Sequence, residues 1–517
     1  MIQTKTLLYY KRTFKVTLLV LFIGLVIILN GCRKKRTEIA KDLFKKTHNK
    51  VFKDITEEGF AEAFKKEIKA EGESIPNIDI ISIYYQQNEY EPTFVLKHLF
   101  NGDLDKAAEY FEKADEHGLN KKIFKGDSLK MLLDKFRGKN VIKTVNQAYS
   151  YMAKIEIIAS SSFFNYSYYL QYGVVNPRKL FQRYYLNTKE PDSSSMLKVF
   201  KTSNIPLFLK NIQPIDTQYT ALQKALKSNV ASKGFTSEEL ERIILVNMER
   251  LRWQNKPTAD KYVVVNIPDY MLNVIDSGHS VLSMKVCVGE GRNIKNQNTV
   301  LAYNDTAIQD KPFPRETPLL NSNIYCVEVN PVWNIPRSIA TKEIIVDAAK
   351  DRFYLANKNI EVYKNGKLIN NPEEINWAKV NKLNNDYEFK QKPGADNSLG
   401  KIKFLFKNKS SVYLHDTPAK YAFLRNMRSV SHGCVRLGDP QALALNLFGE
   451  GEKYKTIAED MAKDNPTPTT IYLPKRVPVY INYLTCWLDE KNELQFRKDV
   501  YGLDIVLYNE LKPYLID

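Results

Sequence analysis

Hydrophobic residues recur at the spacing of a helix along the first half of the chain and at the spacing of strands along the second half. In the segment 58–71, Phe60 and Phe64 are four positions apart, so both lie on one face of the predicted helix. The region 37–255 is therefore predicted to be a mainly helical scaffold. Two longer helices are predicted within it, one over 94–120 that stops at Gly118 and one over 237–253.

The apolar spacing changes after Pro257. Residues 401–407 alternate strictly, with Ile402, Phe404 and Phe406 on one face, as in a half-buried strand. The other predicted elements are strands over 262–266, 271–275 and 281–288, a short helix from Pro440 to Phe448 begun by Asp439, and a late hairpin of strands 477–484 and 494–497. The predicted fold class is α+β, with a β-rich domain over 258–517 after the helical scaffold.

One segment interrupts the strand pattern. Residues 341–355 have helical spacing, and residues 359–386 are polar and rich in loop-forming residues. We interpret this segment as a lid inserted between strands. The alternative is a packing excursion with no functional role.

The N-terminal residues have the pattern of a secretory signal. Four basic residues precede the apolar run 16–29, which is shorter than the roughly 20 residues that span a membrane. The run ends in Leu29-Asn30-Gly31-Cys32, which resembles a bacterial lipobox. Segment 1–31 is therefore predicted to be a lipoprotein-type signal, with Cys32 as the lipidated residue; an uncleaved signal anchor is the alternative. In either case the rest of the chain is predicted to lie outside the cytoplasm, tethered to a membrane.

The charge balance favours an anionic partner. The chain has 76 Lys and Arg against 59 Asp and Glu, a formal net charge of +17, which suits an acidic membrane surface or a polyanionic wall. The basic residues are spread along the chain without a helix-turn-helix or zinc-finger pattern, so nucleic acid is not the predicted partner. The 5 cysteines form no CxxC pair, and a chain of this size needs no disulfide framework.

Candidate chemistry is concentrated in the segments 413–418 and 431–437. His415 ends a predicted strand, and Cys434 follows Gly433, which lets the backbone approach a substrate closely. A thiol with an ordinary pKa of about 8.5 is mostly protonated at neutral pH, but a neighbouring imidazole can take its proton and give a thiolate–imidazolium pair. The N–H groups of Gly433 and Cys434 are candidates for an oxyanion hole, and Arg436 for a carboxylate clamp.

The spacing of these residues alone leaves other interpretations open. A lone cysteine is usually a small buried hydrophobe, and a lone histidine usually has a structural hydrogen bond. Zinc bound by His415, His432 and Cys434 would lack an evident fourth ligand.

Several ordered motifs give the chain a likeness to a known family. Over about 261–504 it resembles the L,D-transpeptidase catalytic domain, within that family's large periplasmic branch. The motifs that carry the resemblance are 262–268, Thr317-Pro318, 330–336, 393–400, 413–418 and 431–437. The resemblance implies that the insertion 337–386 is a capping subdomain. The helical half resembles the branch's scaffold through 148–177 and 244–253, and residues 200–255 are either a peptidoglycan-binding module or a helical spacer.

The resemblance also implies a reaction. Cys434 would attack the third residue of a tetrapeptide stem, release D-Ala and pass the acyl group to an amine of another stem. His415 would be the proton acceptor and donor, its ring oriented by the backbone carbonyl of Asp416. The other implied site residues are Gly433 at the oxyanion, Arg436, Ser431 and Tyr413 at the substrate, and His432 at a variable position where it would only pack.

The family further implies partners and a location. These are peptidoglycan stem peptides, carbapenem-type inhibitors that would acylate Cys434, and the periplasmic side of the cell envelope. Neither a metal nor an organic cofactor is expected. Two rival functions remain at this point, namely an L,D-carboxypeptidase or amidase that uses water as the acceptor, and a wall-binding lipoprotein without catalysis.

Overall fold

The computed structural model describes most of the chain after the predicted signal segment. The described residues are 38–72, 75–228, 230–253, 257–291, 309–381, 385–464 and 466–516. The segment 1–31 and the predicted lipidation site Cys32 lie outside these ranges. Within them, no helix combines the length and apolar character needed to cross a bilayer.

The chain divides into two compact units. Of the described residues, those in 38–112, 124–165 and 197–209 form the first unit, and those in 113–123, 166–196 and 210–516 form the second. The helices in chain order are α1 (Glu38–Thr47), α2 (Glu57–Glu71), α3 (Ile78–Gln87), α4 (Thr93–His98), α5 (Asp103–Glu112), α6 (Gly126–Arg137), α7 (Val145–Tyr172), α8 (Pro177–Leu180), α9 (Ser193–Lys198), α10 (Ile205–Asn211), α11 (Thr217–Leu226), α12 (Ser237–Trp253), α13 (Arg337–Ile339), α14 (Ile345–Lys350), α15 (Tyr354–Asn357), α16 (Pro440–Phe448), α17 (Glu452–Ala462) and α18 (Leu503–Leu511).

The first unit is helical and has an aromatic core. Phe64 and Tyr85 are buried there with their ring centroids 4.3 Å apart. A fully buried carboxylate, Glu156, accepts hydrogen bonds from the Tyr85 hydroxyl and from the backbone N–H groups of Phe94 and Val95. It therefore caps α4 from a distant helix and satisfies amides that have no partner inside α4.

The prediction of one helix over 94–120 is wrong. The structure has α4 and α5 there, followed by a short 3₁₀ turn from Ala114 to His117. The break falls at Asn101, whose side-chain oxygen accepts the N–H of Asp103, and at Gly102, whose φ is +83°. Such local side-chain bonds compete with helix continuation. The predicted stop at Gly118 is present, with a φ of +71°.

The second unit contains the predicted strand-rich domain. The strands in chain order are β1 (Tyr184–Tyr185), β2 (Lys261–Asn266), β3 (Met271–Asp276), β4 (His279–Gly289), β5 (Leu319–Val329), β6 (Trp333–Asn334), β7 (Ile360–Lys364), β8 (Lys367–Leu368), β9 (Tyr387–Gln391), β10 (Ile402–Phe406), β11 (Leu414–His415), β12 (Ser429–Ser431), β13 (Val435–Leu437), β14 (Thr469–Asn482), β15 (Cys486–Leu488) and β16 (Leu494–Phe496). The helical region followed by this strand-rich domain confirms the predicted α+β class.

The main sheet closes on itself. Its strands follow the order β5-β10-β11-β13-β4-β3-β2-β14, and β14 pairs again with β5. Closure removes exposed edges from these strands and encloses their inward-facing apolar side chains. The side chains that fill this core include Val263, Val265, Leu272, Val274, Val286, Ile324, Val327, Phe404, Leu414, Val435, Val479 and Ile481.

Two differences from the predicted strands concern pairing. Residues 477–482 belong to the long strand β14, which pairs with β2 and β5, and not to the late hairpin. The hairpin itself is formed by β15 and β16. The cause is that hydrophobic alternation marks a strand but does not specify its partner.

The insertion has a sheet and a core of its own. Strands β6, β9, β7 and β8 pair in that order, so the small sheet extends from Trp333 to Gln391. Its helical part consists of α13, a π-helical turn at Ala340–Ile344, α14 and α15. Its core includes the buried side chains Ile335, Ile345, Leu355, Val362, Trp377 and Phe389. A separate apolar core identifies the insertion as a subdomain.

Candidate active site

Parallel pairing of β11 with β13 brings the two candidate catalytic segments together. Leu414 is opposite Val435, and His415 is opposite Arg436. The Val435 N–H donates to the Tyr413 carbonyl over 3.1 Å, which continues the alignment toward Cys434. The register therefore places the residues that precede each strand pair, Tyr413 and Cys434, beside each other.

His415 is buried and held by a backbone carbonyl. His415 is only 5% exposed, and its Nδ1 lies 2.5 Å from the carbonyl oxygen of Asp416. Burial, with the positive charge of Arg436, lowers the pKa of His415 to about 4. The ring is therefore neutral near pH 7, with Nδ1–H donating to the carbonyl, and this leaves Nε2 as the basic nitrogen.

The Asp416 carboxylate stabilises the loop that presents this carbonyl. One oxygen accepts the N–H of Lys401 over 2.9 Å, and the other pairs with Lys420 over 2.7 Å. Gly400, with a φ of +61°, lies so close that a Cβ there would overlap the Asp416 carboxyl group. This contact gives the glycine that ends the 393–400 motif a structural reason.

Cys434 is less buried than the other cysteines of the described chain. Cys287, Cys326 and Cys486 are buried, whereas Cys434 is only partly buried, and all four are free thiols. Desolvation raises the pKa of Cys434 to about 11, although hydrogen bonding to Tyr413 opposes the shift. Burial therefore favours the protonated form of the resting thiol.

Hydrogen bonds from Ser431 fix the turn that carries Cys434. The Ser431 hydroxyl donates to the Cys434 carbonyl over 2.5 Å and accepts the Gly433 N–H over 3.2 Å. Gly433 has a φ of +113°, and its carbonyl accepts the Thr317 hydroxyl over 2.8 Å. Thr317 in turn accepts the N–H of Gly289 over 2.8 Å. The Thr317-Pro318 motif therefore supports the turn that carries Cys434, a role that could not be assigned from the motif alone.

Arg436 is a cation without an ion-pair partner in the described part of the chain. Its Nε is buried and has no hydrogen-bond partner there. The nearby Lys403 is paired with Glu328 over 2.8 Å, so its charge is compensated. A buried guanidinium nitrogen without a partner is costly, which suits Arg436 to a bound anionic group.

His432 does more than pack. Its Nε2 lies 2.7 Å from Oε1 of Glu343, a residue in the π-helical turn of the insertion. Glu343 also pairs with Arg315, which pairs with Glu290 over 2.9 Å. Sequence analysis did not identify Glu290, Arg315 and Glu343, because they are far apart along the chain and belong to no motif.

The structure gives the zinc hypothesis no additional ligand. His415 Nδ1 is hydrogen-bonded to the Asp416 carbonyl, and His432 Nε2 is paired with Glu343. Among the described residues, no group of three or more His, Cys, Asp or Glu side chains has the arrangement of a metal site.

Comparison with known proteins gives two domain matches and one relative. Residues 260–450 match the family model described as the L,D-transpeptidase catalytic domain, YkuD, and residues 79–226 match the one described as the Scaffold domain. A Haemophilus influenzae protein described as "Putative L,D-transpeptidase" is 29% identical over 272 residues, which are 52% of this chain and 50% of that protein. The match therefore spans about half the length of this curated relative.

Proposed function

Since the chain carries an L,D-transpeptidase catalytic domain after a scaffold domain, we propose that it is a cysteine acyltransferase that cross-links peptidoglycan. The acyl donor is a tetrapeptide stem and the acyl acceptor is an amine of a second stem. The product is a cross-link between the third residues of the two stems, formed with release of D-Ala.

In the first half-reaction, Sγ of Cys434 attacks the carbonyl carbon of the third stem residue while Nε2 of His415 takes the thiol proton. The amides of Gly433 and Cys434 stabilise the oxyanion. The Gly433 N–H donates to the Ser431 hydroxyl over 3.2 Å. Because this bond is long, the negatively charged oxyanion readily replaces the hydroxyl as the acceptor. The C–N bond to D-Ala then breaks, and the departing amine takes the proton from His415.

Two contacts support the assignment of the donor side. Arg436 is the uncompensated cation beside His415 and suits the carboxylate of the donor stem. Tyr413 is hydrogen-bonded to Cys434, and burial raises the pKa of its phenol, so that the hydroxyl stays protonated and can donate to the substrate. Ser431 acts by holding the turn.

The single observation that carries the proposal is the pairing of β11 with β13. It puts the partly buried Cys434 two positions out of register from His415, whose Nδ1 is already occupied by a carbonyl. A structural cysteine needs neither accessibility nor an oriented imidazole.

The experiment is intact mass after incubation with a carbapenem, compared among wild type, Cys434→Ser and His415→Gln. We expect a single adduct on wild type, none on Cys434→Ser and acylation at least 100-fold slower on His415→Gln, in line with loss of a general base. His279→Gln is the matched control, because His279 is exposed on β4, and it should react like wild type. Absence of an adduct on wild type would reject the proposal.

A second assay identifies the acceptor. Purified tetrapeptide-containing muropeptides should give dimers and free D-Ala. Tripeptide without dimer would instead show an L,D-carboxypeptidase that uses water, and cleavage inside the stem would show an amidase. Unchanged substrate together with wall binding would show the non-catalytic lipoprotein.

The same proposal places the chain in the cell envelope, on the periplasmic side of a membrane. The anchor is a lipid on Cys32 or, failing that, the uncleaved apolar segment 16–29. Metabolic labelling with a fatty acid distinguishes the two anchors. Label on wild type and none on Cys32→Ser supports lipidation, whereas an unlabelled but membrane-bound chain supports the signal anchor.

A further inference from the structure

A large groove runs over the outer face of the closed sheet in the second unit. Its volume is about 1350 Å³, which exceeds the roughly 300–1,000 Å³ of pockets that hold small molecules. The floor is the solvent side of β3, β2 and β14, and the walls are the segments 186–190 and 211–216 and the hairpin residue Trp487. A groove of this size has room for an extended ligand.

The groove is separate from the candidate active site. In the order of the closed sheet, three steps lead from β11 through β10 and β5 to β14, and three lead from β13 through β4 and β3 to β2. The strands of the floor therefore lie on the opposite side of the sheet from the strands that carry His415 and Cys434. A ligand in the groove does not compete with an acyl donor.

The floor of the groove has two tyrosine rings between side-chain amides. Strand pairing aligns four residues in one row across β3, β2, β14 and β5, namely Asn273, Val264, Tyr480 and Asn321. Tyr262 lies in the next row, with its ring centroid 5.8 Å from that of Tyr480. These side chains are half-buried. Four strands span about 14 Å at about 4.8 Å for each step, so the row is long enough for more than one ring of a ligand.

One hydrogen-bond acceptor on this floor has no partner. Asn482 is opposite Asn266, and both side chains line the groove. Asn266 is satisfied by the backbone of Leu484, to which it donates and from which it accepts. The amide oxygen of Asn482 is buried and has no hydrogen-bond partner among the described residues. Such an oxygen is costly. A rotation of this half-buried side chain turns the oxygen toward the groove, where an N–H or O–H of a ligand would satisfy it.

The charged residues of the lining select no ion. There are two basic and three acidic residues, so neither sign of charge dominates. Glu190, Arg252 and Asp269 are each held in a salt bridge within the protein. Asp216 caps α11 by accepting the N–H of Gln218 over 2.9 Å. The groove therefore offers mainly aromatic rings and neutral amides to a ligand.

We infer that this groove, which we name the glycan groove, binds a neutral polysaccharide that carries N-acetyl groups. The C–H faces of sugar rings pack on aromatic rings such as Tyr262, Tyr480 and Trp487. Hydroxyl and N-acetyl groups both donate and accept hydrogen bonds, as side-chain amides do. An acidic polymer or a nucleic acid would instead require a basic lining.

The inference rests on the proposed function in its choice of polysaccharide. In peptidoglycan the sugar carboxyl groups are used up in the amide bonds to the stems, so the glycan backbone that carries the stems is neutral. A strand held in the glycan groove keeps the enzyme at the wall and raises the concentration of stems around Cys434. The groove would thus favour stems that are attached to glycan over free stem peptides.

The test is the binding of chitotetraose, a neutral oligomer of N-acetylglucosamine, to the purified full chain by isothermal titration calorimetry. We expect wild type to bind it, and the Kd to rise about tenfold in Tyr480→Ala and in Asn482→Leu. Asn482→Leu is expected to fold, because it removes an acceptor that has no partner. Tyr472→Ala is the matched control, since Tyr472 is exposed on the same strand but lies outside the groove, and it should bind like wild type.

The outcomes separate this inference from the proposed function. Carbapenem acylation of Cys434 should be the same in the groove variants as in wild type, with or without chitotetraose. Absence of binding by wild type, or equal Kd values in the groove variants and wild type, would overturn the inference and leave the acylation result untouched. Binding of stem peptides without glycan in the groove would overturn it as well. Glycan binding by a chain that no carbapenem acylates would support the groove and reject the transpeptidase. Should Tyr480→Ala be unfolded in a thermal melting curve, Asn482→Leu decides.

Discussion

The ionisation of the proposed catalytic pair, Cys434 and His415, gives the sharpest prediction. In the resting protein the pKa of Cys434 is about 11 and that of His415 is about 4. The thiolate is thus the major form only above about pH 11, and the imidazolium only below about pH 4. Between these limits both groups are neutral, and the proton moves only when sulfur attacks the donor.

The magnitude follows from the gap between the two pKa values, about 11 minus about 4, or about 7. Moving the proton from sulfur to nitrogen against that gap costs about 10 kcal/mol at 1.36 kcal/mol per pKa unit. Attraction between the resulting charges returns about 4 kcal/mol at a separation of about 4 Å and an effective dielectric constant of about 20. The neutral pair is therefore favoured by several kcal/mol, and the ion pair is populated in fewer than roughly one molecule in a thousand.

The assay is the second-order rate constant of carbapenem acylation between about pH 4.5 and pH 9. With a His415 pKa of about 4, the rate at pH 4.5 should be within about twofold of the plateau. An imidazole with its ordinary pKa of about 6.5 would instead lose roughly 100-fold by pH 4.5. Alkylation by iodoacetamide should rise steadily with pH in the same range. A low-pH plateau of fast alkylation, the sign of a pre-formed thiolate, would refute the reasoning.

Three further predictions concern stability and positioning. Gly173→Ala, at a φ of +82°, would set a Cβ against the Trp253 indole, so we expect a loss of about 2–4 kcal/mol of unfolding free energy. The control Gly234→Ala, at a φ of +84° in open space, should lose only about 1 kcal/mol. Equal losses in urea titrations would show that the Trp253 contact does not matter. Ser431→Ala leaves the Cys434 carbonyl without its hydrogen-bond donor, which should lower the unfolding free energy by about 1–3 kcal/mol. It should also slow carbapenem acylation by more than the loss of stability explains. Acylation at the wild-type rate would show that the hydroxyl does not hold the turn. Burial raises the pKa of Glu156 from 4.5 to about 7. The stability that Glu156 contributes is therefore fully present below pH 4.5, and about 3 kcal/mol of unfolding free energy is lost as pH rises through about 7. Urea titrations of Glu156→Gln should lack that decline, and a decline equal to that of wild type would assign it to another group.

Elements that depend on local interactions could be predicted from local signals along the chain. The helix predicted over 237–253 has those bounds in α12, and Asp439 caps α16 by accepting the N–H of Ala442 over 2.9 Å. The predicted helix over 94–120 failed because the Asn101 side chain binds a backbone amide at the break. Strands were found by their alternation, but the pairing of β14 with β5 joins residues about 150 positions apart, which no local pattern specifies.

The candidate site shows the same division between local and long-range information. Cys434, His415 and the Asp416 carbonyl could be placed from motifs, since each motif lies within a few residues. Arg315 and Glu343 could not be placed in this way. They are far apart along the chain, and only folding of the closed sheet and its insertion brings them into contact with each other and, through Glu343, with His432. The ionisation of the pair was also beyond the sequence, because pKa values depend on burial, and burial depends on the whole fold.

A protonated thiol at Cys434 has a consequence for the proposed enzyme. Oxidants attack the thiolate form of cysteine, so a partly buried thiol with a pKa of about 11 is protected near neutral pH. The basic Nε2 of His415 is available near neutral pH, because the pKa of His415 is about 4 and Nδ1 is already hydrogen-bonded to the Asp416 carbonyl. Under the proposed function, the acyl donor supplies what converts the thiol into a nucleophile, namely a carbonyl carbon in reach and an oxyanion held by the amides of the turn. Near neutral pH the reaction then depends on a donor in the site, because burial raises the pKa of Cys434.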